Sequence, residues 1–174
     1  RILTLAAQGG VEGFAASINI GLDYTLTNEE AARWARRYAF DLIKDLDATT
    51  LKVIRDQIAA FVETPGYSLG NIMRNLPYDA ERAFRVAVTE TTRAYAQGNQ
   101  LAGEALAEEF PDVEVIKTWY TNNDDRVCVI CAPLNGKRVG INDVFPGGLL
   151  SNPPAHTSCR CWNTTRTDIL AGAT

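Results

Sequence analysis

The chain has 174 residues, of which 46% are hydrophobic, and a formal net charge of −4. This length supports one hydrophobic core, or one core with a small satellite. No run of residues approaches the ~20 apolar positions of a membrane helix, so we expect no membrane partner. The acidic excess lies entirely in the first 111 residues. Because phosphate binding requires a basic surface, the charge does not support DNA as a partner, apart from local basic patches.

The N-terminal part of the chain carries helical patterns with one ambiguous stretch. The chain begins at Arg1 rather than Met, so we expect a processed or excised piece of a longer protein. Residues 1–20 are apolar but interrupted by glycines, which predicts a segment that packs on another chain or subdomain. Thr27 is predicted to cap a helix that runs to about Asp45. Its apolar stripe includes Trp34 and is interpreted as core.

Two shorter helices are expected next. One begins near Thr49 and ends at Pro65-Gly66, a pair that cannot continue a helix. The other is capped by Ser68 and runs through Leu76. Apolar residues recur at helical spacing in the first of them, so this helix has one face for a core.

A long amphipathic pattern opens at Asp79 and continues to Glu109. Gly98 and Gly103 each lower helix stability by ~1 kcal/mol relative to alanine, which makes a break in this part plausible. The polar residues near its middle are interpreted as a solvated face: Glu90, Arg93 and Tyr95.

Beyond Pro111 the pattern changes from helical to alternating. Residues 113–119 are predicted to form a strand that is buried at least partly on both faces. Asn135-Gly136 is a strong hairpin signal, and residues 160–167 are expected to return as a strand. These elements predict an α+β fold, with a mainly helical N-terminal part packed on a small antiparallel sheet.

The most selective feature is a cluster of four cysteines and the chain's only histidine. The residues read Cys128-Val-Ile-Cys131 and, after an intervening loop, His156-Thr-Ser-Cys159-Arg-Cys161. A Cys-x-x-Cys pair lets two thiolates converge on one ion, and a second pair across a loop completes the tetrahedron of a structural zinc. We therefore predict a zinc knuckle at one end of the sheet. Its ligands are Cys128, Cys131, Cys159 and either His156 or Cys161.

Other uses of these cysteines fit the pattern less well. Inter-loop disulfides, such as Cys128 to Cys161, leave His156 without a role, whereas zinc uses it. A catalytic zinc needs an open position and a general base, and the spacing places neither Glu90 nor Asp125 there. A redox Cys-x-x-Cys belongs at a helix start, whereas this pair follows a strand. A Cys-His hydrolase needs one reactive cysteine rather than four.

Charged and aromatic residues flank the candidate ligands. Asp125, Arg126 and Arg160 are interpreted as charges that orient the ligating loops, because Arg160 lies between two candidate ligands. The alternative is a surface ion pair of little energetic weight. Three aromatic residues are expected to pack beside the knuckle rather than to stack on nucleic acid: Trp119, Tyr120 and Trp162.

Three blocks of residues follow one another between about residues 85 and 165. The first is the run Thr89-Glu90-Thr91-Thr92-Arg93-Ala94-Tyr95, followed by Gly98 and Ala102. The second is Lys117-Thr118-Trp119, followed by Asp125-Arg126-Val127-Cys128-x-x-Cys131 and Leu134-x-Gly136. The third is Pro153-Pro154-Ala155-His156-x-x-Cys159-Arg160-Cys161. In this order they resemble the phage Mu F-like head-morphogenesis family, although Thr157 stands where that family often has proline.

The resemblance implies a minor capsid or head-morphogenesis protein of a tailed phage that acts in procapsid assembly near the portal. Portal and capsid proteins are then the expected partners, and the expected location is the virion, with the host cytoplasm during assembly. The chain divides into a helical N-terminal region, residues 1–80, and a Mu F-like domain with the knuckle, residues 81–174. No enzyme activity is expected. The alternative is a metal-dependent enzyme or DNA-binding factor that uses the Cys/His cluster.

Overall fold

A computed structural model of the protein describes residues 33–37, 43, 46–147 and 150–168. These residues include three bounded helices, α1 (Ala48–Glu63), α2 (Leu69–Asn75) and α3 (Ala80–Glu109). A three-stranded sheet follows, formed by β1 (Glu114–Tyr120), β2 (Arg138–Gly140) and β3 (Trp162–Asp168). A 3₁₀ turn at Ala132–Leu134 precedes β2. The predicted α+β fold is confirmed.

Part of the first predicted helix is present. Residues 33–37 are helical, Ala35 is fully buried, and Trp34 packs against the helical core. Arg36 Nη2 lies 2.6 Å from Glu63 Oε2 at the end of α1, which joins this segment to the next helix. The predicted cap at Thr27 and the apolar stretch of residues 1–20 lie outside the described residues.

Side-chain caps define the starts of α1 and α2. Asp47 Oδ1 accepts a hydrogen bond from the Thr50 N–H at 2.8 Å, so α1 begins close to the predicted position. Ser68 Oγ accepts from the Asn71 N–H at 3.3 Å, and Asn71 Oδ1 accepts from the Ser68 N–H at 3.1 Å. This reciprocal pair is a capping box, which satisfies two N–H groups that the helix leaves free. Between the helices, Gly66 adopts φ +83° and ends α1 as predicted.

The long helix α3 is continuous from its cap at Asp79 to Glu109, so the predicted break near Gly98 and Gly103 is wrong. Contacts between α3 and distant residues explain why the helix continues through these glycines. A Cβ atom at Gly103 would lie 2.5 Å from Ile141 Cδ1 and 2.9 Å from Thr165 Cγ2. Glycine therefore allows α3 to approach the sheet closely, and that packing holds the helix where its own propensity is low.

The sheet has β1 at its centre, with the antiparallel order β2-β1-β3. Both β2 and β3 are edge strands that pair only with β1. Consecutive residues Lys117, Thr118 and Trp119 are buried, which confirms the predicted burial on both faces. Asn135-Gly136 does form a turn into β2, with Gly136 at φ +74°. A 3₁₀ turn rather than a strand precedes it, so the predicted short hairpin is instead a longer connection.

Hydrophobic clusters lie along α3 and at the end of the sheet. The first joins α1, α2 and the N-terminal half of α3, and includes Ile54, Phe61, Ile72 and Val86. The second joins the C-terminal half of α3 to the sheet region: Ala102, Leu106, Val115 and Ile141. The third lies at the end of the sheet, and three of its six buried residues are cysteines: Trp119, Cys131, Leu134, Phe145, Cys159 and Cys161. The predicted division of the chain after residue 80 stays a prediction.

A buried polar network also joins α3 to the sheet. Lys117 Nζ on β1 donates to Gln100 Oε1 on α3 at 3.0 Å. Gln100 Nε2 donates to the Ile141 carbonyl at 2.7 Å, and Asn99 Nδ2 donates to the Asn163 carbonyl at 3.2 Å. Burial lowers the pKa of Lys117. Because buried polar groups are costly unless they are paired, this network fixes the position of α3 on the sheet.

Replacing Gly103 by alanine should destabilise the protein by about 1–2 kcal/mol. The overpacking against Ile141 and Thr165 exceeds the ~1 kcal/mol that alanine adds to helix propensity. Gly70→Ala is the matched control, because its Cβ would lie at ordinary contact distances, 3.5 Å and more. Urea denaturation of both variants checks this expectation, and a Gly103→Ala variant as stable as the wild type would contradict the close approach.

Candidate metal centre

The five predicted ligands lie on two loops that lead into the two edge strands. Cys128 and Cys131 lie in the turn before β2, and the other three lie in the segment before β3. Both x-x spacers are closed by the same hydrogen bond: the Cys131 N–H donates to the Cys128 carbonyl and the Cys159 N–H donates to the His156 carbonyl, each at 3.1 Å. A tight turn of this kind brings its first and fourth side chains to the same side. The Cys-x-x-Cys and His-x-x-Cys spacings therefore place the two side chains of each pair next to each other.

The side chains of the two loops meet. His156 Nε2 lies 3.1 Å from Cys128 Sγ and 3.6 Å from Cys131 Sγ. Across the loops, Cys131 Sγ lies 3.8 Å from Cys159 Sγ. A tetrahedral zinc with normal bond lengths separates two sulfur ligands by about 3.8 Å, and a sulfur from a nitrogen by about 3.6 Å. Two of the three distances match these edges, and the third is shorter.

The donors form two groups of three that share Cys131. One contains Cys128, Cys131 and His156, the other Cys131, Cys159 and Cys161, and the ligand atoms within each group lie within 4.8 Å of one another. Each group could hold a metal ion. All four cysteines are free, so the inter-loop disulfides considered from the sequence are not formed. Which four of the five residues bind an ion stays a prediction.

The histidine is held in the form that binds a metal. His156 Nδ1 lies 2.9 Å from the Thr157 carbonyl oxygen. Because a carbonyl only accepts, Nδ1 is the donor in this contact, and in the neutral ring Nε2 then has a lone pair on the side of the cysteines. Metal-bound histidines are usually oriented by a hydrogen bond of this kind from their second ring nitrogen. This arrangement fits an ion that takes nitrogen and sulfur ligands.

The buried thiols differ in their readiness to ionise. A hydrogen bond from Cys161 lowers the pKa of Cys159 to about 5, and the same contact raises the pKa of Cys161. Burial raises the pKa of Cys131 to about 12. At Cys128 burial opposes ionisation, but the hydrogen bond from the Cys131 N–H, at 3.4 Å from the sulfur, helps to lower the pKa. A metal ion would have to displace the Cys131 proton.

Arg160 forms a two-pronged ion pair with Asp124, at 2.6 and 2.8 Å. The hydrogen bond from Arg160 lowers the pKa of Asp124. The pair links the loop after β1 to the loop before β3, and an orienting role of Arg160 for the ligands stays a prediction. Because both side chains of this ion pair are partly exposed, the pair contributes little to the free energy of unfolding.

Of the three flanking aromatic residues, Trp119 packs beside the cluster as predicted. Trp119 is fully buried with the cysteines and meets Phe145 edge to face, with ring centroids 5.2 Å apart. Tyr120 stacks on Trp162 at 5.9 Å. Trp119 and Phe145 give the loops an apolar base at the end of the sheet.

The predicted solvated face on α3 is wrong for Glu90. This residue is only 1% exposed, and Arg93 Nε lies 3.9 Å from its Oε2. Neither Glu90 nor Asp125 lines the cleft over the donors. Its described lining contains no carboxylate: Asn122, Arg126, Val127, Cys128, Cys131, His156, Ser158, Cys159, Arg160 and Cys161. A general base of this type is therefore not placed in the described part of the cleft.

Sequence reasoning also missed Thr89. Its Oγ1 accepts a hydrogen bond at 2.8 Å from the N–H of Ser158, in the middle of the ligating loop. The two residues are 69 positions apart, and no local pattern indicates a contact over that separation.

Fold and site together define a small α+β protein with a Cys/His cluster of the metal-binding type. The family model described as "Phage Mu protein F like protein" matches residues 49–164, about two thirds of the chain. The chain therefore belongs to this family, and the resemblance seen in the sequence is confirmed. The family indicates a phage head-morphogenesis protein. No curated protein and no solved structure gives a significant match.

The part of the chain that the structure describes contains no helix with the length and apolar character needed to cross a membrane.

Proposed function

We propose that this protein is a minor head protein that acts near the portal during procapsid assembly, with a structural zinc ion in its knuckle. Membership of the Mu F-like family over residues 49–164 is the observation that carries the role in the head. The match spans the candidate ligand loops, so the knuckle belongs to the family part of the chain.

The zinc ligands in this proposal are Cys128, Cys131, His156 and Cys159. His156 is favoured over Cys161 because its Nε2 faces Cys128 and Cys131 with the proton on the opposite nitrogen. Cys159 completes the set, since its sulfur is one tetrahedral edge from that of Cys131. Cys161 shares a donor group with Cys131 and Cys159 but not with Cys128 and His156, so in this proposal it lies beside the ligands without replacing one.

The role of the ion in this proposal is structural rather than catalytic. Four protein ligands leave no open position for water or substrate. The described lining of the cleft also offers no carboxylate to act as a base. These features support a protein without enzyme activity. No observation favours the alternative of a metal-dependent enzyme or a DNA-binding factor.

The benefit of the ion follows from the topology. The ligands lie just before β2 and β3, two edge strands that have no contact with each other in the sheet. An ion would tie the two loops together at one end of β1. The energy of metal binding would then stabilise a three-stranded sheet that has a small core of its own.

Cys131→Ser should abolish binding of one zinc per chain, because Cys131 belongs to both donor groups. The sheet should then exchange its amide hydrogens faster, while the core of α1, α2 and α3 stays protected. Cys161→Ser is the control and should keep the zinc. Elemental analysis and hydrogen exchange measure the two effects. A wild-type protein that contains no zinc after purification would contradict the structural ion. So would a Cys131→Ser variant with unchanged amide exchange in β1–β3.

The knuckle carries a surface suited to a head partner. Val129 and Ile130, between the two ligating cysteines, are 90% and 55% exposed. Metal binding needs only the backbone of this turn, so it gives no reason for two apolar side chains in solvent. In this proposal they contact a portal or capsid protein, because exposed apolar side chains at the centre of an interface contribute most to binding.

Replacing Val129 and Ile130 together by serine should reduce incorporation into phage heads several-fold while zinc content stays normal. Phe84→Ser, which removes a side chain of 50% exposure from α3, is the matched control. Quantitative mass spectrometry of purified heads provides the measurement. Equal incorporation of the double variant and the control would rule out this contact surface.

The same measurement on heads assembled without the portal protein tests the proposed location. The protein should be lost from these heads and retained in heads that contain the portal. Its absence from wild-type heads would contradict the role in the head altogether.

A further inference from the structure

The ligating loop before β3 is attached to α3 at its midpoint. Ser158 lies between His156 and Cys159 and adopts φ +62°, a conformation that is uncommon outside glycine. In this conformation its N–H donates to Thr89 Oγ1 at 2.8 Å. Thr89 is fully buried on α3, whereas Ser158 is exposed, so this hydrogen bond attaches a surface loop to the buried face of the helix.

The direction of the Thr89 hydroxyl is fixed. Its only proton is donated to the Arg85 carbonyl, at 2.7 Å, one turn earlier in α3. The lone pairs of Oγ1 are therefore available to the Ser158 N–H. Both hydrogen-bonding roles of the hydroxyl are used, one within the helix and one toward the loop. A side chain of the same shape without oxygen, such as valine, would leave the Ser158 N–H without this acceptor and the loop without this attachment to α3.

The position of Ser158 determines where the two ligands point. His156 and Cys159 are the first and fourth residues of a turn closed by the Cys159 N–H and the His156 carbonyl. Ser158 is the third residue of that turn. Holding its backbone in the left-handed conformation therefore sets the direction of the imidazole and the thiol on either side.

We propose that Thr89 is a positioning residue of the metal centre, whose hydroxyl latches the ligating loop onto α3 so that His156 and Cys159 face Cys128 and Cys131. The inference rests on the proposed zinc site. Metal binding and docking of the loop on α3 then stabilise each other, since a coupling between two events acts equally in both directions.

The test is the zinc affinity of Thr89→Val in the full chain, measured by competition with a chelator. Removing a hydrogen-bonding partner of a ligand loop should weaken zinc binding about 10–100-fold. Thr91→Val is the matched control, because the Thr91 hydroxyl is equally buried but donates to the Ala87 carbonyl within α3. This control should bind zinc like the wild type. Thr89→Ser keeps the hydroxyl and should retain most of the wild-type affinity for zinc.

Amide exchange at Ser158 provides a second readout, which can be measured on the wild-type protein and compared with both variants. In the zinc-loaded wild type this N–H should exchange slowly, as it should in Thr91→Val, and it should exchange fast in Thr89→Val. A wild-type Ser158 amide that exchanges as fast as the amide of an unstructured peptide would overturn the latch, whether or not the valine variant folds.

The outcomes separate the latch from the zinc site. Wild-type protein that binds zinc, with equal affinities for Thr89→Val and Thr91→Val, overturns the latch alone. Wild-type protein that binds no zinc overturns the metal centre and the latch with it.

Discussion

The sulfur of Cys131 is the point at which two loops of the chain meet, and the end of the sheet is arranged around it. It belongs to both groups of candidate ligands, lies 3.8 Å from Cys159 Sγ and 3.6 Å from His156 Nε2, and is almost fully buried. The loops on its two sides lead into β2 and β3, which pair only with β1. Contact at this sulfur therefore joins two edge strands that the sheet itself leaves apart.

The long helix α3 connects this end of the molecule to the helical core. Its N-terminal half packs with α1 and α2, while its C-terminal half lies close to the sheet at Gly103. Thr89, on the same helix, contacts the ligating loop. A single rigid element thus holds the helical core, the sheet and the loop of His156 and Cys159 in one arrangement. In a head-assembly protein, this would leave the exposed tip of the knuckle as a fixed surface for a partner.

Local features of the fold were accessible from the sequence, and tertiary ones were not. The cap at Ser68, the start of α3 near Asp79 and the turn at Pro65-Gly66 are read from neighbouring residues, and each was predicted. The Cys-x-x-Cys and His-x-x-Cys spacings also predicted the cluster, because each turn closes on itself. Continuity of α3 depends on Gly103 meeting Ile141 and Thr165, which lie far away in sequence. Burial of Glu90, the pairing of Arg160 with Asp124 and the contact of Thr89 are long-range in the same way.

The most direct test is X-ray absorption at the zinc edge, on protein purified without added metal. The proposed site predicts a coordination shell of three sulfur atoms at about 2.3 Å and one nitrogen at about 2.0 Å. This shell corresponds to Cys128, Cys131, Cys159 and His156. A shell of four sulfurs would place Cys161 on the ion in place of His156. A shell of oxygen and nitrogen alone, or no zinc signal, would contradict a structural zinc in the knuckle.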